Sequence, residues 1–345
     1  MNTVALETFL QPINPWLDQD DVSELSINKP RELWIEKRGE MERHIIPELD
    51  EEHLIALAKL IAESTRQDIS FERPVLSATL PTGHRVQVIL PPAAQEICLS
   101  IRKPSSIAYT LDDYQKAGAF SSTVWTGLDE PPPWSDPVKP PTLEELGLSV
   151  EDLEKFIEEP IPDDQFVQFI RHAVLDRKNI LISGGTSTGK TTFLNACLRE
   201  IPLSERLVTI EDAQEVTLLQ PNHVHLLSSR GEQGQAKVTP QQLLEASLRL
   251  RPDRIIMGEL RGAEAFSFLR AVNTGHPGSI ATLHADSPMM AFEQVALMVM
   301  QTGLNLKHSQ IMAYVKEIID VVIQLKRGDG GRRYVSEIYD ARGRQ

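Results

Sequence analysis

Residues 184–192 read GGTSTGKTT, and no other stretch of the chain restricts its fold so tightly. The spacing fits G-x-x-x-x-G-K-[ST], with Gly184, Gly189, Lys190 and Thr191 at the defining positions. Ahead of it, Asn179-Ile180-Leu181-Ile182-Ser183 is an apolar run of the length of one buried parallel strand. Behind it, Leu194, Cys197, Leu198 and Ile201 recur at the spacing of a helical stripe. Strand, glycine loop and helix in that order make a phosphate cradle. Backbone N–H groups across Gly184, Gly185, Thr186, Ser187, Thr188 and Gly189 can turn inward onto phosphate oxygens, and the helix N-terminus adds partial positive charge. Lys190 can reach the β- and γ-phosphates and the Thr191 hydroxyl can ligate Mg²⁺, with Thr192 extending the cradle into the helix; the cofactors expected are ATP and Mg²⁺.

Two regions flank a change in composition. Residues 1–117 read as an α+β block. Strands are expected around 23–27 and 33–36, a helix follows the N-cap Asp50, and 75–80 pairs with 85–90 across Pro81-Thr82-Gly83-His84. One more strand is expected at 98–101. In residues 118–147 Gly, Ser, Thr and Pro accumulate, culminating in Pro131-Pro132-Pro133-Trp134, which reads as a semi-rigid linker. From 148 to 345 strands and helices alternate, the pattern of a parallel α/β sheet. Thr239-Pro240-Gln241-Gln242 opens one helix with a capping box, and Ser287-Pro288 opens another.

In open α/β sheets, ligand groups collect at the carboxyl ends of strands. Three strands after the cradle end in suitable side chains. The strand at 206–210 runs into Glu211-Asp212, that at 254–257 into Gly258-Glu259, and that at 279–283 into His284. Nucleoside triphosphate hydrolysis needs an acid for metal or water and a group that positions the attacking water. Glu211 and Glu259 stand where such groups are needed, and a His284 donor could sense the γ-phosphate. The second of these strands departs from the usual pattern, which ends in Asp, and leaves the metal ligand open between its neighbours.

Composition narrows the function classes. The net charge of −14 argues against non-specific nucleic-acid binding. Two cysteines, Cys98 and Cys197, lack paired spacing, so neither a disulfide framework nor a zinc cluster is expected, in keeping with a reducing cytoplasm. The N-terminal residues lack a basic region followed by an apolar core, so no signal peptide is expected. No stretch approaches about 18 consecutive apolar residues, so any membrane contact is expected to be peripheral.

The stretches TIEDAQEV (209–216), LRPDRIIMGELRG (250–262) and TGHPGSIATLHA (274–285) resemble the Asp box, atypical Walker B and His box of the secretion-superfamily ATPases. LPTGHRVQVILPP (80–92) and SIRKPSS (100–106) resemble the N-terminal domain of the type IV secretion branch. Members of the type II and pilus-extension branches carry a tetracysteine zinc element, which two cysteines exclude. A counterpart of the C-terminal motif of pilus-retraction motors is also missing. The resemblance implies a RecA-like P-loop NTPase domain with a smaller α+β domain packed against the nucleotide. It implies a homo-hexamer on the cytoplasmic face of the inner membrane, working with other type IV secretion components. Lys190 and Thr191 would hold phosphates and Mg²⁺, Glu211 would activate water, Glu259 would act on metal or water, and His284 would sense the γ-phosphate. Arg102, and with it Arg85, would reach the nucleotide from the N-terminal domain; without the resemblance both read as strand-surface charges. His276 reads as structural.

Three other classes remain open on residues alone. A RecA-like nucleic-acid motor would need a basic channel, whereas no Lys/Arg-rich stretch with interleaved aromatics is present. A small-molecule kinase would need an acceptor pocket and lid, for which no segment stands out. A non-hydrolysing regulatory module would bind nucleotide and stop there.

Overall fold

Alternating apolar and polar residues build the N-terminal part. Strands β1 (Val22–Lys29), β2 (Glu32–Lys37), β3 (Glu40–Ile45), β4 (Val75–Thr79), β5 (Arg85–Ile89) and β6 (Cys98–Arg102) form one antiparallel sheet in the order β3-β2-β1-β6-β5-β4. This is a computed structural model, and it describes residues 3–37, 39–103, 109–127, 165–228, 238–328 and 331–341. The expected linker from 128 to 147, residues 104–106 and the start of the α/β region to 164 lie outside the described residues. Helices α1 (Thr3–Leu10) and α3 (Glu51–Ser64) share one apolar core with the sheet, while α2 (Asn14–Leu17) leads into β1. The Asp50 side chain caps α3 by accepting the His53 N–H at 2.9 Å, as its place before the helix suggests.

The period of two decides which residues leave this domain. Val86 and Val88 on β5, and Leu99 and Ile101 on β6, are buried in the core. Their neighbours Arg85 and Arg102 must therefore project from the other face, and the antiparallel register sets them directly opposite each other. Two like charges so placed repel unless an anion lies between or beside them.

Among the described residues the second sheet holds eight strands in the order β10-β9-β11-β12-β8-β13-β14-β7. Its parallel core comprises β8 (Ile180–Gly184), β9 (Leu207–Glu211), β10 (His223–Leu227), β11 (Arg254–Met257), β12 (Ile280–Leu283) and β13 (Val321–Arg327). Strand β13 pairs antiparallel with β14 (Arg333–Asp340) in a hairpin. Every residue of β8 is buried, with β12 on one side and β13 on the other. Its three aliphatic side chains each contribute roughly 1.5–3 kcal/mol by leaving water. The helices are α5 (Gln165–Leu175), α6 (Lys190–Leu198), α7 (Pro240–Ser247), α8 (Glu264–Asn273), α9 (Pro288–Met300) and α10 (His308–Ile318). The capping box at Thr239 and the Ser287 cap are both formed. The result is an α/β sheet whose phosphate-loop strand is central.

Residues 109–117, read with the N-terminal block, and 118–127, read as the start of the linker, instead pack against the α/β region. Thr110 and Asp113 form a capping box that starts α4 (Leu111–Lys116). Leu111, Ala119 and Phe120 are buried in the core beneath the phosphate loop, beside Phe166 and Phe193. Strand β7 (Val124–Thr126) then pairs in parallel with β14 at the sheet edge. Gly, Ser and Thr gave this stretch the composition of a linker, but its few apolar side chains are what anchor it.

At the amino ends of the parallel strands, away from the loop, Arg254 is fully buried. Its guanidinium donates to both Glu205 oxygens, at 2.7 and 2.9 Å, and to the Val174 carbonyl at 2.6 Å. The hydrogen bonds from Arg254, helped by its charge and that of Arg177, hold the Glu205 carboxyl below its ordinary range against the effect of burial. Replacing Arg254 by Ala would leave the Val174 carbonyl unpaired and the Glu205 carboxylate with Arg177 alone, a loss of about 3 kcal/mol. A fall in Tm of roughly 10 °C is expected by thermal melt, with KM for ATP unchanged in the folded protein.

Candidate active site

Gly184 ends β8 under close contact. A Cβ there would stand 2.6 Å from Thr188 Oγ1 and 2.8 Å from the Leu325 carbonyl, so the cradle admits only glycine at this position. Gly189 sits at φ +87° as the N-cap of α6, a conformation that side chains rarely adopt. The loop 185–188 lies between these two fixed points, with the Thr188 hydroxyl donating to the Gly185 carbonyl at 3.0 Å. Lys190, Thr191 and Thr192 open the helix, where backbone N–H groups lack intrahelical partners.

Lys190 is buried, and its ammonium donates to the Gly184 and Gly185 carbonyls, both at 2.9 Å. The His284 ring stands 3.4 Å away. Burial pulls the lysine down to about 8, partly offset by the Glu259 charge and reinforced by Arg102. His284 is shifted down too, by burial and then by Lys190. Lys190, Arg102 and the helix N-terminus thus converge on a place that favours an anion.

An open cleft of about 450 Å³ continues from the loop, lined by Thr191, Glu211, Asp212, Glu259, Arg261 and Arg85 among others. Glu211, the last residue of β9, is buried there. Its Oε1 accepts the Glu215 N–H at 3.0 Å and the Val216 N–H at 2.8 Å. His225 Nδ1 lies 3.8 Å from Oε2 and accepts or donates to the Thr209 hydroxyl at 2.8 Å. Burial outweighs these bonds and pushes the carboxyl up to about 7. A carboxylate that holds its proton to neutrality is suited to general-base work.

The departure at the end of β11 places Gly258 close against Glu211: a Cβ there would stand 3.0 Å from Glu211 Cγ, and the acid of this strand end is Glu259. The turn is pinned: the Gly258 N–H donates to the Ile210 carbonyl, and the Thr282 hydroxyl to the Gly258 carbonyl at 2.5 Å. Arg261 grips Glu259 through Nε and through Nη2, the latter at 2.6 Å to Oε2, and reaches Asp212 Oδ2 through Nη1 at 2.6 Å. Glu259 Oε1 is also 3.4 Å from His284 Nε2.

From the other domain, Arg85 pairs with Glu215 at the mouth of the cleft. Arg102, its cross-strand partner, bears on Lys190 through its charge. His276 binds the Ala271 carbonyl at 3.0 Å, away from the cleft. Arg261, Glu215 and Asn195 belong to the site's framework but carried no role in the sequence reading. Each stands within or beside a recognised motif, and only its long-range partner reveals it.

Among the described residues, no three His, Cys, Asp or Glu side chains are arranged to hold a metal by themselves. Thr191 and Glu259 both line the cleft, a hydroxyl and a carboxylate of the kind that holds Mg²⁺ together with phosphates and water. Likewise, among the described residues no helix is long and apolar enough to cross a membrane.

The sequence pattern of the family described as type II/IV secretion system protein matches residues 148–328. The type IV secretion system protein VirB11 of Brucella suis is 39% identical, the match covering 96% of this chain and 88% of that protein. VirB11 of Bartonella henselae is 40% identical, with 98% and 93% covered. The crystal structure of the pilus retraction motor PilT with bound ADP shares the fold at a TM-score of 0.58 and 17% identity, over 96% of this chain and 82% of that one.

Proposed function

The chain belongs to the type II/IV secretion system protein family, and from that premise we propose that it hydrolyses ATP to power a type IV secretion system. The observation that carries this reading is one cleft joining the phosphate loop to a buried, proton-holding Glu211.

In this reading Lys190 exchanges the Gly184 and Gly185 carbonyls for the β- and γ-phosphates. The loop N–H groups from Gly184 to Gly189, with Thr192 behind them, cradle the same oxygens. Thr191 and Glu259 are the residues that would hold Mg²⁺, Arg261 keeping the Glu259 carboxylate oriented toward the cleft. When bound, the metal supplies charge neutralisation at the phosphate oxygens. Glu211 orients the attacking water and takes its proton, and His284 donates to the γ-phosphate. Arg102 and Arg85 neutralise charge as the bond to the leaving group breaks. Arg85 is already paired with Glu215, and Arg102 opposite it adds the positive charge that supports an anion binding between the domains.

The finer organisation belongs to the same proposal. Residues 3–103 and 148–345 act as two domains, with 109–127 packed on the second and the proline-rich stretch following it in the chain. The active form is a homo-hexamer at the cytoplasmic face of the inner membrane, in contact with other secretion components. Native mass measurement with a non-hydrolysable ATP analogue should give a closed six-fold ring, and a strict monomer would sink the hexamer. Phosphate release should be unchanged by single-stranded DNA; a tenfold stimulation would instead favour a nucleic-acid motor.

A further inference from the structure

Glu215 takes no direct part in the chemistry above, yet three parts of the molecule meet on it. Its carboxylate accepts Arg85 from the N-terminal sheet. Its backbone N–H, beside that of Val216, holds Glu211 Oε1. Its carbonyl accepts Asn195 Nδ2 of α6 at 3.1 Å, and Asn195 Oδ1 in turn accepts the Thr217 N–H at 3.0 Å. The backbone through these residues has no helix or strand of its own. A segment without a regular hydrogen-bond ladder takes its geometry from its partners, and here one of the partners belongs to the other domain.

We propose that Glu215 is a positioning residue through which docking of the N-terminal sheet orients Glu211 for turnover. This rests on Glu211 being the water-activating carboxylate. With Arg85 on Glu215, the paired N–H groups hold Oε1, and Oε2 is left beside the Thr209 hydroxyl and His225, so the carboxylate has one fixed orientation. When the sheet moves away, the segment keeps Asn195 but loses the Arg85 anchor, and the carboxylate loses its fixed orientation. Hydrolysis is thereby confined to the docked arrangement. Small misplacements of a catalytic group are enough for such control, since about 1 Å can cost on the order of a hundredfold.

The test is steady-state phosphate release from ATP by the full chain, with Tm recorded for each variant. Glu215→Ala should lower kcat about tenfold with KM for ATP within twofold. Arg85→Ala should lower kcat at least as much, and the double variant should have a kcat no lower than Arg85→Ala alone. Glu215→Gln, which keeps the shape but gives up the charge pair, should behave as Glu215→Ala does and guards against a misfolded alanine variant. A kcat within twofold of the parent in both Glu215 variants, or losses that multiply in the double variant, would overturn the inference. Glu211→Gln is measured in parallel. Turnover surviving in that variant would refute the base assignment and this inference with it. Turnover lost there but retained in the Glu215 variants would refute only the inference.

Discussion

Replacing Lys190 with Ala is expected to cut phosphate release by about 10²–10³-fold, the usual cost of removing a charge that stabilises the transition state. Its ammonium rests on two loop carbonyls and stands beside His284. The stability outcome separates chemistry from folding. Burial has pulled this lysine down from its ordinary value to about 8, so the folded protein disfavours its charge. A lysine shifted in that direction weakens the fold wherever it is charged, and removing it costs little. Tm should therefore hold within about 2 °C. Lost turnover with a collapsed Tm would assign Lys190 a structural task, and normal phosphate release would refute the loop assignment altogether.

The second large effect is expected at Glu211. Glu211→Gln keeps an oxygen for the Glu215 and Val216 N–H groups but has no lone pair basic enough to take a proton. Turnover should fall by roughly 10²–10⁴-fold, the range for a general base, while the Kd for ATP stays within threefold. The parent should also show a pH signature. Burial raises the carboxyl to about 7, above the ordinary 4.5, so the basic form is depleted as pH falls through neutrality. The value of kcat/KM, which reports the free enzyme, should halve near pH 7 and keep falling toward pH 5. An ordinary exposed glutamate would leave it flat over that interval. Residual activity of Glu211→Gln should lack this limb, and a persisting limb would point to a different group.

Much of this architecture was legible before any coordinates. Strand β8 could be read because parallel strands are buried on both faces and appear as continuous apolar runs, and glycine and lysine then marked its end. Glu211, Glu259 and His284 could be read because each follows such a run directly. Strand β3 could not, because it lies at an edge with most of its residues exposed, and EMERHI shows no apolar face. The stretch 109–127 was missed for the opposite reason: a handful of buried side chains was diluted by Gly, Ser and Thr. The positioning groups are harder still. Arg85 and Glu215 are 130 positions apart, and Arg261 and Asp212 are 49 apart. No local pattern encodes a partnership at such distance; it exists only once two domains, or two strand ends, have met. The resemblance to secretion ATPases pointed to Arg85 and Arg102 but not to the carboxylate that Arg85 pairs with.

The Arg254–Glu205 pair carries a practical consequence. It bolts the amino edge of the parallel sheet, whereas every residue assigned to ATP lies at the carboxyl edge or arrives there from the other domain. Robustness and speed are therefore governed from opposite rims. A variant could be hardened by repacking around Arg254 without stiffening the moving parts, which spares it the usual trade of activity for thermostability.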